Sequence, residues 1–141
     1  MDKKVRITVT GRQWDEDGIE TVTEQSADAE YYEQNDSVYI LYEEISNADY
    51  EKTKNTLKIK DGVLELTKKG SVNSRMVFQE GVEHMTEYST LFGRLQLGIR
   101  TQAIHMLKSD KMQEITVDYD LSANGHNLSR CKIIIKIQNL G

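Results

Sequence analysis

Glu44, Lys68, His84 and Tyr88 are the residues whose types and positions suggest shared chemistry. A carboxylate and an ammonium can fix the polar end of a ligand. An imidazole exchanges protons near neutral pH, and a phenol offers both a ring face and a hydroxyl. Alternation places them. Val38, Ile40 and Tyr42 continue in phase to Glu44, and Leu64 and Leu66 continue to Lys68. Met76 and Phe78 share a phase with Ser74, and the phase of His84, Thr86, Tyr88 and Thr90 is more polar and aromatic than aliphatic. A buried charge without a partner is costly, so an inward Glu44 and Lys68 must pair or stand at a wet mouth. One reading is a partly polar cavity, with Tyr42, Phe78 and Tyr88 gripping a ligand while Glu44, Lys68 or His84 fixes its polar groups. The other is that strands end there and these side chains reach solvent at a rim.

Other chemistries find little support. His84, His105 and His126 lie on separate stretches without ligand spacing or a cysteine cluster, which argues against zinc. Asp15-Glu16-Asp17-Gly18 lacks the alternating ligands and terminal glutamate of a calcium loop and reads as a solvated hairpin tip. No glycine-rich loop joins a strand to a helix, and no Ser/His/Asp order suggests a nucleophile elbow. Cys131, the single cysteine, can form no intrachain disulfide; it alternates with Ile133 and Ile135 and reads as a buried thiol. Trp14, beside a turn, reads as a packing or lid aromatic. The expectation is a non-enzyme without cofactor or metal.

The elements that position these residues are short alternating strands. Val5-Ile7-Val9, Leu95-Leu97-Ile99, Ile115-Val117-Tyr119-Leu121 and Ile133-Ile135-Ile137 each recur with period two, which gives a strand one dry and one wet face. Asp61-Gly62 and Asn124-Gly125 are hairpin dipeptides, and Asn35-Asp36-Ser37, Lys69-Gly70, Glu80-Gly81 and Ser109-Asp110-Lys111 are further turn signals. Strands are placed near 3–13, 20–34, 37–45, 53–60, 63–69, 72–79, 82–90, 94–107, 112–122 and 127–138. Merging or loss of two leaves about eight in a closed, antiparallel, up-and-down β-barrel, one domain over residues 1–141. Glu43 to Tyr50 is ambiguous between a short helix and a polar excursion over a barrel mouth. Gln102 to Lys108 has some helical character, but alternation carrying in from Leu95 keeps it a strand. Gly93 and Gly98 mark bends or bulges in the wall. Inward Leu, Ile, Met and Phe can fill a narrow barrel, while Thr86, Thr90, Thr101 and Ala103 leave room on one side.

Bulk properties set outer bounds. At 141 residues with 38% hydrophobic and 29% charged residues, the chain suits one soluble domain. A net charge of −5 argues against nucleic acid. Residues 1–51 carry 14 acidic and 4 basic side chains, giving −10, and the remainder carries 9 acidic and 14 basic, giving +5. In a barrel these halves become complementary neighbours around the wall. No apolar run approaches a membrane span and no signal core follows Met1, so the expected compartment is cytoplasmic, away from any membrane.

Val38-Tyr39-Ile40-Leu41-Tyr42-Glu43-Glu44, Lys68-Lys69-Gly70, Met76-Val77-Phe78, Gly81, His84 and Tyr88-Ser89-Thr90-Leu91-Phe92-Gly93 occur in an order and spacing that resemble the YwiB-like family. These are small bacterial proteins of unknown function. The likeness runs on through Thr101 and Tyr119-Asp120-Leu121 and implies a lipocalin-like (calycin) barrel. The family favours Arg where Lys68 stands and Pro where Leu91 stands. Lys68 keeps the charge but lacks the bidentate fork. The resemblance brings no catalytic residues. The chain is thus expected to bind a small, partly apolar molecule, or to act through its surface or as a homodimer around a filled interior. An enzyme built on His84 and Glu44 is the least supported option.

Overall fold

Every stretch of alternation becomes a strand in a computed structural model that describes residues 3–45, 52–90 and 93–140. In chain order these are β1 (Lys3–Trp14), β2 (Glu20–Gln34), β3 (Ser37–Ile45), β4 (Lys52–Lys60) and β5 (Val63–Lys69). They are followed by β6 (Ser74–Phe78), β7 (Glu83–Thr90), β8 (Gly93–Lys108), β9 (Met112–Ala123) and β10 (His126–Asn139). All neighbours are antiparallel, in the order β6-β5-β4-β3-β2-β1-β10-β9-β8-β7. The two terminal strands pair from Val5–Asn139 to Trp14–Arg130. The seam lies instead between the consecutive strands β6 and β7. There Asn73 and Ser89 exchange backbone hydrogen bonds of 3.0 and 2.9 Å, and the barrel is nearly closed.

The count is ten strands rather than about eight, because tight hairpins keep every alternating stretch separate. Asn35-Asp36, Asp61-Gly62 and Asn124-Gly125 all have positive φ at both positions, the signature of type I′ turns whose twist matches the strands. The strand expected over 72–79 is shorter, Ser74–Phe78. Glu43, Glu44 and Ile45 lie in β3; the rest of the ambiguous excursion, from residue 46, and Leu91 lie outside the described residues.

Ile7, Ile40, Leu57, Leu64, Ile99, Ile115 and Val117 are fully buried, as the alternation requires. The inward placing of Ala103 is corrected. A bulge between Thr101 and Ala103 adds Gln102 to β8, so Ala103 stands opposite Asp118 on the outer face and Ile104 opposite Val117 within. The barrel interior is filled. The void bounded by Ile7, Val9, Tyr42, Leu57, Phe78 and Val117 measures about 10 Å³, room for one water at most. Among the described residues no helix is long and apolar enough to cross a membrane.

The wall has one irregularity on the acidic side. β2 pairs with β3 only from Glu30–Leu41 to Gln34–Ser37, whereas its pairing with β1 runs without a bulge from Lys3–Tyr31 to Trp14–Glu20. Beyond Glu30 the two strands part and a cleft opens between them.

Candidate functional site

The cleft meets a row of inward side chains on the facing wall. Tyr42, Asn55, Lys68 and Ser74 are successive cross-strand partners on β3, β4, β5 and β6, and Glu44 stands one inward position beyond Tyr42. Lys68 Nζ donates to Glu44 Oε1 in an ion pair whose two side chains are each about one-fifth exposed. Across the cleft, Gln25 Nε2 of β2 donates to Glu44 Oε2 at 2.9 Å, bridging strands whose backbones no longer pair. Asn55 Nδ2 donates to Thr53 O at 3.4 Å, and the amide also helps hold the Glu44 carboxyl down. Burial pushes the Glu44 carboxyl upward, but Lys68, Gln25 and Asn55 together outweigh it and hold the group below its usual range. Beneath it, burial first and the Glu44 charge second push the Tyr42 phenol upward, so Tyr42 remains neutral.

Two buried atoms flanking Lys68 in this row have no hydrogen-bond partner, Asn55 Oδ1 and Ser74 Oγ. Thr101 Oγ1, on β8, is the third such atom among the described residues. Polar atoms this deep are nearly always satisfied, and orphaning one costs about 1–3 kcal/mol. Asn55 is 1% exposed and stands behind Tyr42, its cross-strand partner, next to the cleft. A cavity of about 370 Å³ lies between Ile7, Gln25, Ser26, Ala27, Tyr42 and Glu44. An outer concavity of about 670 Å³ shares Ala27, Tyr42 and Glu43 with it and reaches Asn55. The two are the faces of one cleft.

The structure therefore unites Tyr42, Glu44 and Lys68 and disperses the other expected site residues. Phe78 is core, edge-to-face with Tyr119 at 5.1 Å. Tyr88 is half-buried on β7 beside the Asn73–Ser89 bridge, across the seam from Ser74. His84 stands four residues from Tyr88, about 13 Å along the strand, near the β6–β7 turn at the opposite end of the barrel. Its Nε2 lies 3.1 Å from Gln79 Oε1. His84 and Glu44 consequently form no acid–base pair. Among the described residues no three His, Cys, Asp or Glu side chains are grouped to hold a metal. Trp14 borders a broader concavity, about 830 Å³, on the outer face. Its charged walls are the solvated pairs Lys132–Asp118 and Arg130–Asp120, at 3.6 and 4.0 Å, and it holds none of the unpartnered buried atoms.

Gln25 and Asn55 escaped the sequence reading. Asn55 does share a phase with Leu57 and Ile59, a signal that was present, but a polar residue near a strand start reads as a rim position. Gln25 lies in a strand with few apolar residues, and its approach to Glu44 follows from the parting of β2 and β3, which no periodicity encodes.

The model of a domain of unknown function, DUF1934, matches residues 7–135. The chain belongs to the DUF1934 family. The uncharacterized β-barrel protein YwiB of Bacillus subtilis (strain 168) is 27% identical over 107 residues, which is 76% of this chain and 74% of YwiB. The crystal structure of ywiB protein from Bacillus subtilis superposes with a TM-score of 0.85 at 21% identity, covering 99% of this chain and 94% of that one. That likeness shows a shared fold. The family description assigns no activity, so function must be read from the cleft.

Proposed function

We propose that this protein is a non-enzymatic, lipocalin-like (calycin) barrel that binds a small, partly apolar molecule in the cleft between β2 and β3. The observation that carries this reading is the unpartnered, buried Asn55 Oδ1 beside Tyr42, its cross-strand partner, which with Glu44 lines a cavity of ligand size. A ligand N–H or O–H directed at Asn55 would satisfy that acceptor, and the lone pairs left on Glu44 after Lys68 and Gln25 would accept a second. Ile7, Ala27 and the Tyr42 ring would take an apolar body. The inner cavity of about 370 Å³ falls within the range of small-molecule sites. The site is lateral, because the axial interior is filled by aliphatic side chains.

The test is a thermal-shift screen with small amides, amines and alcohols carrying an apolar tail, on the wild type and on Asn55→Leu. A true ligand at about 100 times its Kd adds roughly 2.7 kcal/mol of stability, a shift of several degrees. That shift should vanish in Asn55→Leu. Equal shifts in both proteins would remove Asn55 from the site and with it this reading.

The filled interior favours a second reading, in which the barrel acts through its surface or as a homodimer. Sedimentation across a hundredfold concentration range distinguishes a dimer from a monomer that meets a different partner.

A further inference from the structure

We propose that the free edge of β2, from Glu20 to Asp28, is a docking strand for an extended, basic segment of a partner protein. On one side these residues pair continuously with β1. On the other, pairing with β3 begins only at Glu30, and among the described residues no other backbone hydrogen bond reaches Glu20 to Ala29. Every second residue thus presents an unused N–H and C=O to solvent over about nine positions, and Glu20 to Ser26 are all exposed. Such an edge pairs with whatever extended chain reaches it, and proteins usually blunt it with lysine, proline, a bulge or a covering element. Among the described residues none is present: no element covers this edge, the register with β1 has no bulge, and residues 13–51 contain no lysine, arginine or proline.

Charge selects the occupant. Residues 13–51 carry 13 Asp and Glu side chains. On the outward face of the edge, Arg12 meets Glu20 at 3.3 Å and Arg6 meets Asp28 at 3.0 Å. Glu24 has only the Thr10 hydroxyl, at 3.3 Å. Two copies joined edge to edge would set these acids against one another, with Glu24 facing itself and Glu20 facing Asp28 in the centred register. A strand with lysine or arginine at alternate positions meets Glu24 with opposite charge and shares the backbone ladder, which is recognition by strand addition. It uses the backbone of β2 and needs neither Asn55 nor Glu44, although Gln25, Ser26 and Ala27 also line the small-molecule cleft, so the two ligands would compete at that end of the edge.

Three ten-residue peptides test this against the full chain. One alternates lysine with valine and threonine, the second replaces every lysine with glutamate, and the third is the basic peptide with two central non-lysine positions changed to proline. The basic peptide should bind and slow exchange of alternate β2 amides between Thr21 and Asp28 at least tenfold. Glu24→Lys, at an exposed position, should weaken it at least tenfold, and Asn55→Leu should leave it unchanged. The acidic and proline peptides should not bind. Equal binding by the proline peptide would reduce the effect to bulk charge and overturn the proposal. So would protection outside β2, or concentration-dependent β2 protection in the protein alone, which would identify a second copy as the occupant.

Discussion

Replacing Lys68 with Met removes the cation from Glu44 while keeping most of the side chain's length. Exposed ion pairs contribute about 0–1 kcal/mol, whereas breaking a buried one costs about 3–5 kcal/mol. Glu44 and Lys68 are 17% and 22% exposed, between those limits, and Gln25 and Asn55 remain to solvate the carboxylate. The expected loss is about 2 kcal/mol at pH 7, near 6 °C in Tm for a domain of this size. Its pH dependence identifies the cause. In the wild type the folded carboxyl is held below its ordinary 4.5, so its contribution is present above that pH and lost as pH falls through the lowered value. In Lys68→Met the desolvation that raises the pKa has lost its main opponent. The variant is therefore penalised at neutral pH and relieved once Glu44 protonates. Urea unfolding at pH 7 and at pH 3.5 should show the gap closing in acid, and Glu44→Gln should make Lys68→Met nearly neutral. A gap below 0.5 kcal/mol at pH 7, or one independent of pH, would refute the reasoning.

Gly70→Ala should cost about 3 kcal/mol, read as a urea midpoint shift, because φ is +152° and an added Cβ would lie against backbone, 2.7 Å from Thr53 Cα. Burial pushes the Cys131 thiol up, with Asp120 adding to the rise, against hydrogen bonds from Ser129 and Tyr119. Folded protein at pH 8 should therefore resist iodoacetamide for hours while urea-unfolded protein alkylates fully, a difference read by mass. Asn55→Leu removes an orphaned acceptor and the long bond to Thr53 O together, and should change stability by no more than about 1 kcal/mol in urea unfolding.

The strands were legible because alternation and paired turn residues agree from Val5 to Ile137. The inward phase of Glu44 and Lys68 was legible in the same way, since both continue an aliphatic phase, whereas alternation alone does not decide whether they pair or stand at a wet rim. What period two leaves out is position along the barrel axis. His84 and Glu44 share an inward phase but lie at opposite ends, a separation that follows from the meander and the Glu80-Gly81 turn. Nor does it report a bulge. Thr101 and Ala103 still look alternate, and only Ile104 and Met106 beyond them betray the slip. The cleft was least legible, because it depends on where β3 leaves β2 for β4, a property of sheet coiling rather than of side-chain pattern.

Native mass spectrometry of protein purified gently from a bacterial host, wild type beside Asn55→Leu, tests the cleft most directly. The account predicts a stoichiometric extra mass on the wild type, released on denaturation, and its absence from an equally folded Asn55→Leu. The same adduct on both proteins, or a bare mass on both together with no shift in the thermal screen, would contradict it.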